Sequence, residues 1–456
     1  MAESEEAERS LLALAAPESL TDPLAHDLLR VALDQSVDPE PFVGALHLCD
    51  FVVERNSEWH LAAEVREVLV ERLIGHRDLS DLLHQRLLSF TKPGSVEEIP
   101  PELPRYLTEG VGRAYHATFL SPDGLSDYVR VAKQPISGQQ WLAGNLASEQ
   151  VRLGVIPENA IEVLFLRGMI LYREHRRREA ELLLRQVAES PEQRFEVAVS
   201  SHLIGRMDGR RFRTRKRGES LLWKSLEIGR KIGDAGHQAQ VLHTLGQLIG
   251  RDPKRREEAE GLLRESLERE PTMNDPLGRA QVLHTLGQLI GRDPGRRDEA
   301  EGLLRESLKM GQKLDERDHE ARVLHTLGQM VGLASARRDE AEGLLRESLK
   351  IEETMHNALG RAQVLHTLGQ LIGRNAGRRD EAEGLLRESL EIGQKLDNLN
   401  HQAQVLYGLA RLKGTSPEVA KALLLESLDL NRQIENKSGE RIVRKALSKL
   451  SRNASA

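Results

Sequence analysis

The sequence predicts an all-α chain built mainly as a solenoid of stacked helical hairpins, on three observations. The heptapeptide VLHTLGQ stands unchanged at 241–247, 282–288, 323–329 and 364–370, a constant step of 41 residues. A second heptapeptide, GLLRESL, keeps that step at 261–267, 302–308, 343–349 and 384–390. Around both, apolar residues recur at the three- and four-residue spacings of a helix face: Val241, Leu242, Leu245, Leu248 and Ile249 in one stretch, Ala259, Leu262, Leu263 and Leu267 in the other. A period of roughly 20–50 residues marks stacked arrays, because a lone hairpin cannot bury its apolar faces and must lean on its neighbours.

Composition agrees. Aromatics are only 3% of the chain, so the core must come from Leu, Val, Ile and Ala, and the abundant Leu, Ala, Glu and Arg favour helix. The formal net charge of −6 over 456 residues argues against a surface that binds nucleic acid throughout, while leaving local patches open. One cysteine, Cys49, excludes an intramolecular disulfide framework and a Cys-rich zinc site; its apolar setting, ALHLCDFVV, predicts a buried structural thiol. The start has no basic n-region, and no apolar run approaches the ~20 residues of a membrane span, so the expectation is a cytoplasmic protein off the membrane.

Residues 1–95 read as a mostly helical N-terminal domain. TDPLAHDLLRVALDQ and DPEPFVGALHLCDFVVERN have helical periodicity, and a short extended segment with Trp59 precedes the helix of AAEVREVLVERLIG. Residues 96–158 form a helical connector, opened by the proline-rich TKPGSVEEIPPELP and continued by RYLTEGVGRAYHATF, SPDGLSDYVRVAK and SGQQWLAGNLASEQVRLG. Residues 159–432 are the array. In each unit the two helices flank a turn such as RDPKRR, and small residues let them approach: Gly246, Gly287, Gly328 and Gly369 in the first helix, Ala259, Ala300, Ala341 and Ala382 in the second. Earlier units carry Gly168 with Ala180 and Gly205 with Ser225, and a diverged last unit lies around Leu409, Ala410 and Ala420, giving about seven hairpins. Residues 433–456 hold a basic capping helix, apolar at Ile442, Val443, Ala446, Leu447 and Leu450.

These spacings resemble the tetratricopeptide (TPR) repeat. Leu242, Leu245-Gly246 and Ile249 meet its first-helix pattern, and Ala259, Leu263 and Ser266 its second; a longer turn and connector give 41 residues, as in long-period members. The resemblance implies a right-handed α-solenoid of TPR-like hairpins. The N-terminal order of two helices, an extended segment and a helix resembles the winged-helix segment joining the ATPase to the repeats in STAND-type signalling NTPases. A small helical domain or degenerate capping repeats are the alternatives.

Chemistry is sparse. There is no G-x-x-x-x-G-K-[ST] phosphate loop, so an NTPase motor is missing from this chain, and no H-E-x-x-H or G-x-S-x-G. Copies of His243 on successive hairpins stand on the order of 10 Å apart, too far to share one metal, whose ligands lie ~2 Å from the ion. The expectation is no enzyme, no metal and no cofactor.

What remains is surface. The resemblance implies that the first helices line a concave groove that contacts peptides. Its stripe is Gln240, His243, Gln247 and Arg251, then Gln281, His284, Gln288 and Arg292, then Arg322, His325 and Gln329 with Leu333 in the arginine's place, then Gln363, His366, Gln370 and Arg374. Amide and guanidinium donors suit an extended or acidic segment. Alternatively, these are solvated residues copied with their repeat. A second ladder is basic: the cluster Arg210, Arg211, Arg213, Arg215, Lys216 and Arg217, and the turn pairs Arg255-Arg256, Arg296-Arg297, Arg337-Arg338 and Arg378-Arg379. Such an edge could bind phosphates, although the array nearly lacks stacking aromatics.

The favoured reading is a scaffold or adaptor that binds a partner protein or peptide in the groove. The first alternative is the sensor subunit of a signalling or defence assembly whose ATPase or effector is on another chain. The second is nucleic-acid binding along the arginine edge. Self-association is compatible with the sequence.

Overall fold

The computed structural model describes residues 2–17, 19–33, 38–49, 52–55, 58–89, 111–120, 147, 150–269 and 275–454. It divides into two compact units, Met1–Ile232 and Gly233–Ala456, and the repeats occur in both.

The first unit opens with α1 (Ala2–Ala15), α2 (Asp22–Ala32) and α3 (Glu40–Leu46), a hairpin of β1 (Val52–Arg55) and β2 (Glu58–Leu61), then α4 (Ala63–Gly75) and α5 (Arg77–Ser89). The strands are antiparallel with Val52 opposite Leu61, and Leu20 adds a single bridge to Trp59. Trp59 is buried among Leu12, Leu24, Leu28, Leu73 and Leu83, and its indole N–H donates to Asp22 Oδ1 at 3.0 Å. Two expectations are corrected here. Helical periodicity through FVVERN gives way to a strand, because α3 ends at Leu46 and the β-branched Val52 and Val53 pair with β2. Cys49 is half-buried rather than buried, on the rim of an apolar cavity with Leu11 and Phe42. Of the connector, α6 (Val111–Leu120) confirms the helix in RYLTEGVGRAYHATF. The proline-rich segment, SPDGLSDYVRVAK and most of SGQQWLAGNLASEQVRLG lie outside the described residues. Two hairpins close the unit, α7 (Ile161–Arg173) with α8 (Arg177–Glu189) and α9 (Phe195–Arg210) with α10 (Arg215–Lys231).

The second unit holds five hairpins. They are α11 (Ala235–Ile249) with α12 (Arg256–Arg269), α13 (Pro276–Ile290) with α14 (Arg297–Lys313), α15 (Arg317–Val331) with α16 (Arg338–Thr354), α17 (Ala358–Ile372) with α18 (Arg379–Lys395), and α19 (Leu399–Ala410) with α20 (Pro417–Gln433). The final helix, α21 (Lys437–Ala454), packs on α20 and covers Leu424 and Leu428 with Val443, Ala446 and Leu447.

The small residues do what their spacing predicts. A Cβ on Gly246 would lie 2.6 Å from Leu263 Cγ, and one on Gly287 2.7 Å from Leu304 Cγ. Each GLLRESL serine is buried and donates across the hairpin to a first-helix carbonyl: Ser266 to Ala239 at 2.8 Å, Ser307 to Ala280 at 2.7 Å, Ser348 to Ala321 at 2.8 Å. Connectors leave the second helix through a left-handed residue, Asp315, His356 or Asp397, with the next N–H returning to a carbonyl one turn back, as Glu316 does to Gly311 at 3.0 Å.

Candidate functional site

The stripe runs along α11, α13, α15 and α17, with Arg251, Arg292, Leu333 and Arg374 just past their C-terminal ends, and its members are joined across repeats. His243 Nε2 lies 2.8 Å from Thr285 Oγ1 of the next repeat and 2.9 Å from Gln247 Nε2, which also reaches that threonine at 3.2 Å. The triangle recurs as His284, Gln288 and Thr326, and as His325, Gln329 and Thr367. Each threonine donates its proton to the carbonyl four residues back, Thr285 to Gln281 at 3.0 Å, so its oxygen is left to accept. Burial pushes His243, His325 and His366 down to about 4; burial, with the neighbouring histidines and Arg322, pushes His284 down to about 3. All four rings are neutral at pH 7.

The stripe's ends divide. Arg292 donates to the Gly250 carbonyl at 2.8 Å and Arg374 to that of Gly332, each reaching back one repeat. Arg251 is exposed. Arg322 turns aside to Asp318 at 2.9 Å. Gln240, Gln281 and Gln363 contribute carbonyls to the threonines.

The basic edge is corrected by its partners. Arg296 pairs with Glu260 at 2.7 Å and Glu299 at 2.8 Å, and Arg264 bonds the same two carboxylates at 2.9 and 2.8 Å. This closed quartet of two arginines and two glutamates repeats as Glu301, Arg305, Arg337 and Glu340, and as Glu342, Arg346, Arg378 and Glu381. Arg255 meets Glu258 at 2.8 Å. These arginines hold Glu260, Glu301 and Glu342 down at about 2. The outer column is charge-balanced, not basic. In the inner column, Arg256, Arg297 and Arg338 make no ion pair among the described residues and Arg379 reaches Glu383 only at 3.7 Å; the Nε atoms of Arg256, Arg297 and Arg379 are buried without a partner there. In the first unit, Arg211 pairs with Glu181 and Arg217 with Glu189, leaving Arg210 and Lys216 exposed; Arg213 is exposed and Arg215 half-buried.

The ladder breaks twice, and each break opens a cavity. In the third copy Met330 and Leu333 replace the leucine and arginine of the others, and a cleft of about 410 Å³ lies between α13 and α15 above Leu304. In the last hairpin Tyr407 and Gly408 replace His and Thr, so His366 has no threonine ahead of it. A cavity of about 370 Å³ there is lined by His366, Gln370, Tyr407, Asn431 and Val443.

Sequence reasoning named the histidines and glutamines but missed the threonines, although they share the heptapeptide. It also missed a second period. His319 and His401, 82 residues apart, stack edge-on to His284 and His366 at 5.8 Å and bond Ser307 and Ser389, while Gly360 takes the place between them. Among the described residues no group of three or more His, Cys, Asp or Glu could hold a metal ion, and no helix is long and apolar enough to cross a membrane.

No protein-family model matches the chain, and no curated protein matches it in sequence. Solved structures do match. One is a Signal Transduction ATPase with Numerous Domains (STAND) protein with a tetratricopeptide repeat sensor from Pyrococcus horikoshii, at 14% identity and a TM-score of 0.58, covering 96% of this chain and 65% of that one. The chain thus spans just under two thirds of that protein's length. Another is a Rap protein complexed with Competence and Sporulation Factor, at 13% identity and a TM-score of 0.50, covering 72% of this chain and 97% of that one. At these identities the likeness is one of fold. Period, hairpin packing and both comparisons agree on what that is: a TPR-like solenoid of helical repeats.

Proposed function

We propose that the chain is a non-enzymatic scaffold that holds an extended segment of a partner protein along the first-helix stripe of its second unit. One observation carries this. The side-chain nitrogens of Gln247, Gln288 and Gln329 are tied into the ladder, while their amide oxygens accept no hydrogen bond among the described residues and the side chains are exposed. A row of oriented acceptors at repeat spacing suits the N–H groups of an extended backbone, and the orientation is fixed before binding, which lowers its entropic cost. The Rap structure, a complex, supports the use of this fold for binding. The test is capture from the native lysate by the intact chain, with and without nuclease, against a triple variant, Gln247→Ala, Gln288→Ala and Gln329→Ala. A nuclease-resistant partner lost in the variant, whose circular dichroism is unchanged, is the expected result; a partner that the variant retains sinks the reading.

A second reading, the sensor arm of a signalling assembly with its ATPase elsewhere, draws on the STAND structure, because that alignment runs over nearly the whole chain. It expects an ATPase among the captured proteins. The nucleic-acid reading loses support, because the arginines of the quartets are paired with glutamates.

A further inference from the structure

Four near-identical repeats present a problem to any extended ligand. A periodic groove offers the same contacts at every step of one repeat, so the ligand has no preferred register. The third copy removes that equivalence. Leu333 stands where the other copies carry arginine, and half of its surface is exposed. It brings no donor to the Gly291 carbonyl, whereas the equivalent carbonyls of Gly250 and Gly332 receive Arg292 and Arg374. Met330 replaces a leucine beside the same glycine, and a Cβ there would lie 3.0 Å from its sulfur. The resulting cleft has an apolar floor of Leu304, Met330 and Leu333, with Gln288 and Gln329 at its rim.

Charge completes the description. Arg292 lies at the rim of the cleft, and partial burial of its guanidinium, with Arg256 nearby, lowers its affinity for a proton. Among the described residues neither has a carboxylate partner, in contrast to the outer arginines. The positive charge at this point of the groove is unbalanced.

We infer that this cleft is the register-setting anchor of the groove, taking one leucine- or methionine-sized side chain of the partner segment, with a carboxylate of that segment on Arg292. The inference rests on the scaffold reading and deepens it. The apolar side chain covers Leu333, the segment's backbone N–H supplies the donor missing at Gly291, and the acidic group meets a guanidinium that has a carbonyl but no carboxylate beside it. Among the four near-identical copies, the third alone carries methionine and leucine at the positions of Met330 and Leu333.

The test uses the full chain and fluorescent synthetic peptides on a Gly/Ser background, each with one Leu and one Glu at varied separation, beside Leu→Ala and Glu→Lys counterparts. The best Leu/Glu peptide should bind about tenfold tighter than its Ala counterpart, about 1.4 kcal/mol. The double variant Met330→Leu with Leu333→Arg restores the residues of the other copies and so keeps the fold; it should reduce that preference to about twofold or less. No preference in the native chain, or a preference that survives in the double variant, overturns the anchor. Peptides that bind without a Leu preference, and lose binding on Gln288→Ala with Gln329→Ala, leave the scaffold standing and remove the anchor alone. Absence of any peptide binding removes both.

Discussion

At the scale of the residue, the histidines are the sensitive points. Burial disfavours the charged form of each ring, and a protonated ring has only donors to offer. Their affinity for protons in the fold, at about 3 to 4, lies below the ordinary 6.5. The unfolded chain therefore binds more protons below pH 6.5, and stability is lost as the pH falls from 6.5 toward 4. Each histidine accounts for about 2 kcal/mol of this loss by pH 5. Thermal melts across that range should show the midpoint falling with acid, and His284→Gln with His325→Gln should flatten the fall. At pH 7, Thr326→Val preserves shape and leaves His284 and Gln288 without their partner, which costs about 1–2 kcal/mol of stability. An unchanged melting midpoint would mean that the ladder is solvated in solution.

At the scale of the element, the quartets tie each second helix to the next turn. Glu301 sits between Arg305 and Arg337 and is mostly buried, so Glu301→Gln leaves two guanidinium groups facing each other and lowers stability by about 1 kcal/mol, less at high salt. Urea melts at two ionic strengths check it; a cost that does not change with salt argues for packing instead. The elements themselves were legible in the sequence because a helix announces itself locally, through the spacing of Leu242, Leu245 and Ile249. The quartets were not, since Arg337 finds Glu301 36 residues earlier, and a linear reading counts the arginine without its partner. The same distance hid Thr326, which looks like helix filler until the preceding repeat is laid beside it. The β-hairpin failed for another reason: Val52 and Val53 fit a helical period as well as a strand, and only the pairing with β2 decides.

At the scale of the whole molecule, repeat number is an adjustable quantity. Deleting residues 323–363 joins Arg322 to Val364 within the same heptapeptide context, so the shortened chain should keep its helical spectrum and unfold cooperatively with a lower midpoint, since one interface is gone. It also loses Met330 and Leu333, and with them any preference for a leucine-bearing ligand. A shortened chain that aggregates or melts without cooperativity contradicts the stacking account. The near-identity of the copies has one more consequence, for the journey to the fold rather than for the fold itself. A repeat whose next neighbour and next-but-one neighbour present the same surface has no means of telling them apart, nor of distinguishing its own chain from a second nascent one. Skipped pairings and strand-exchanged dimers thus compete with correct assembly at high concentration. The odd residues of the third and last copies, where the pattern is spoiled, are the landmarks by which the chain can count.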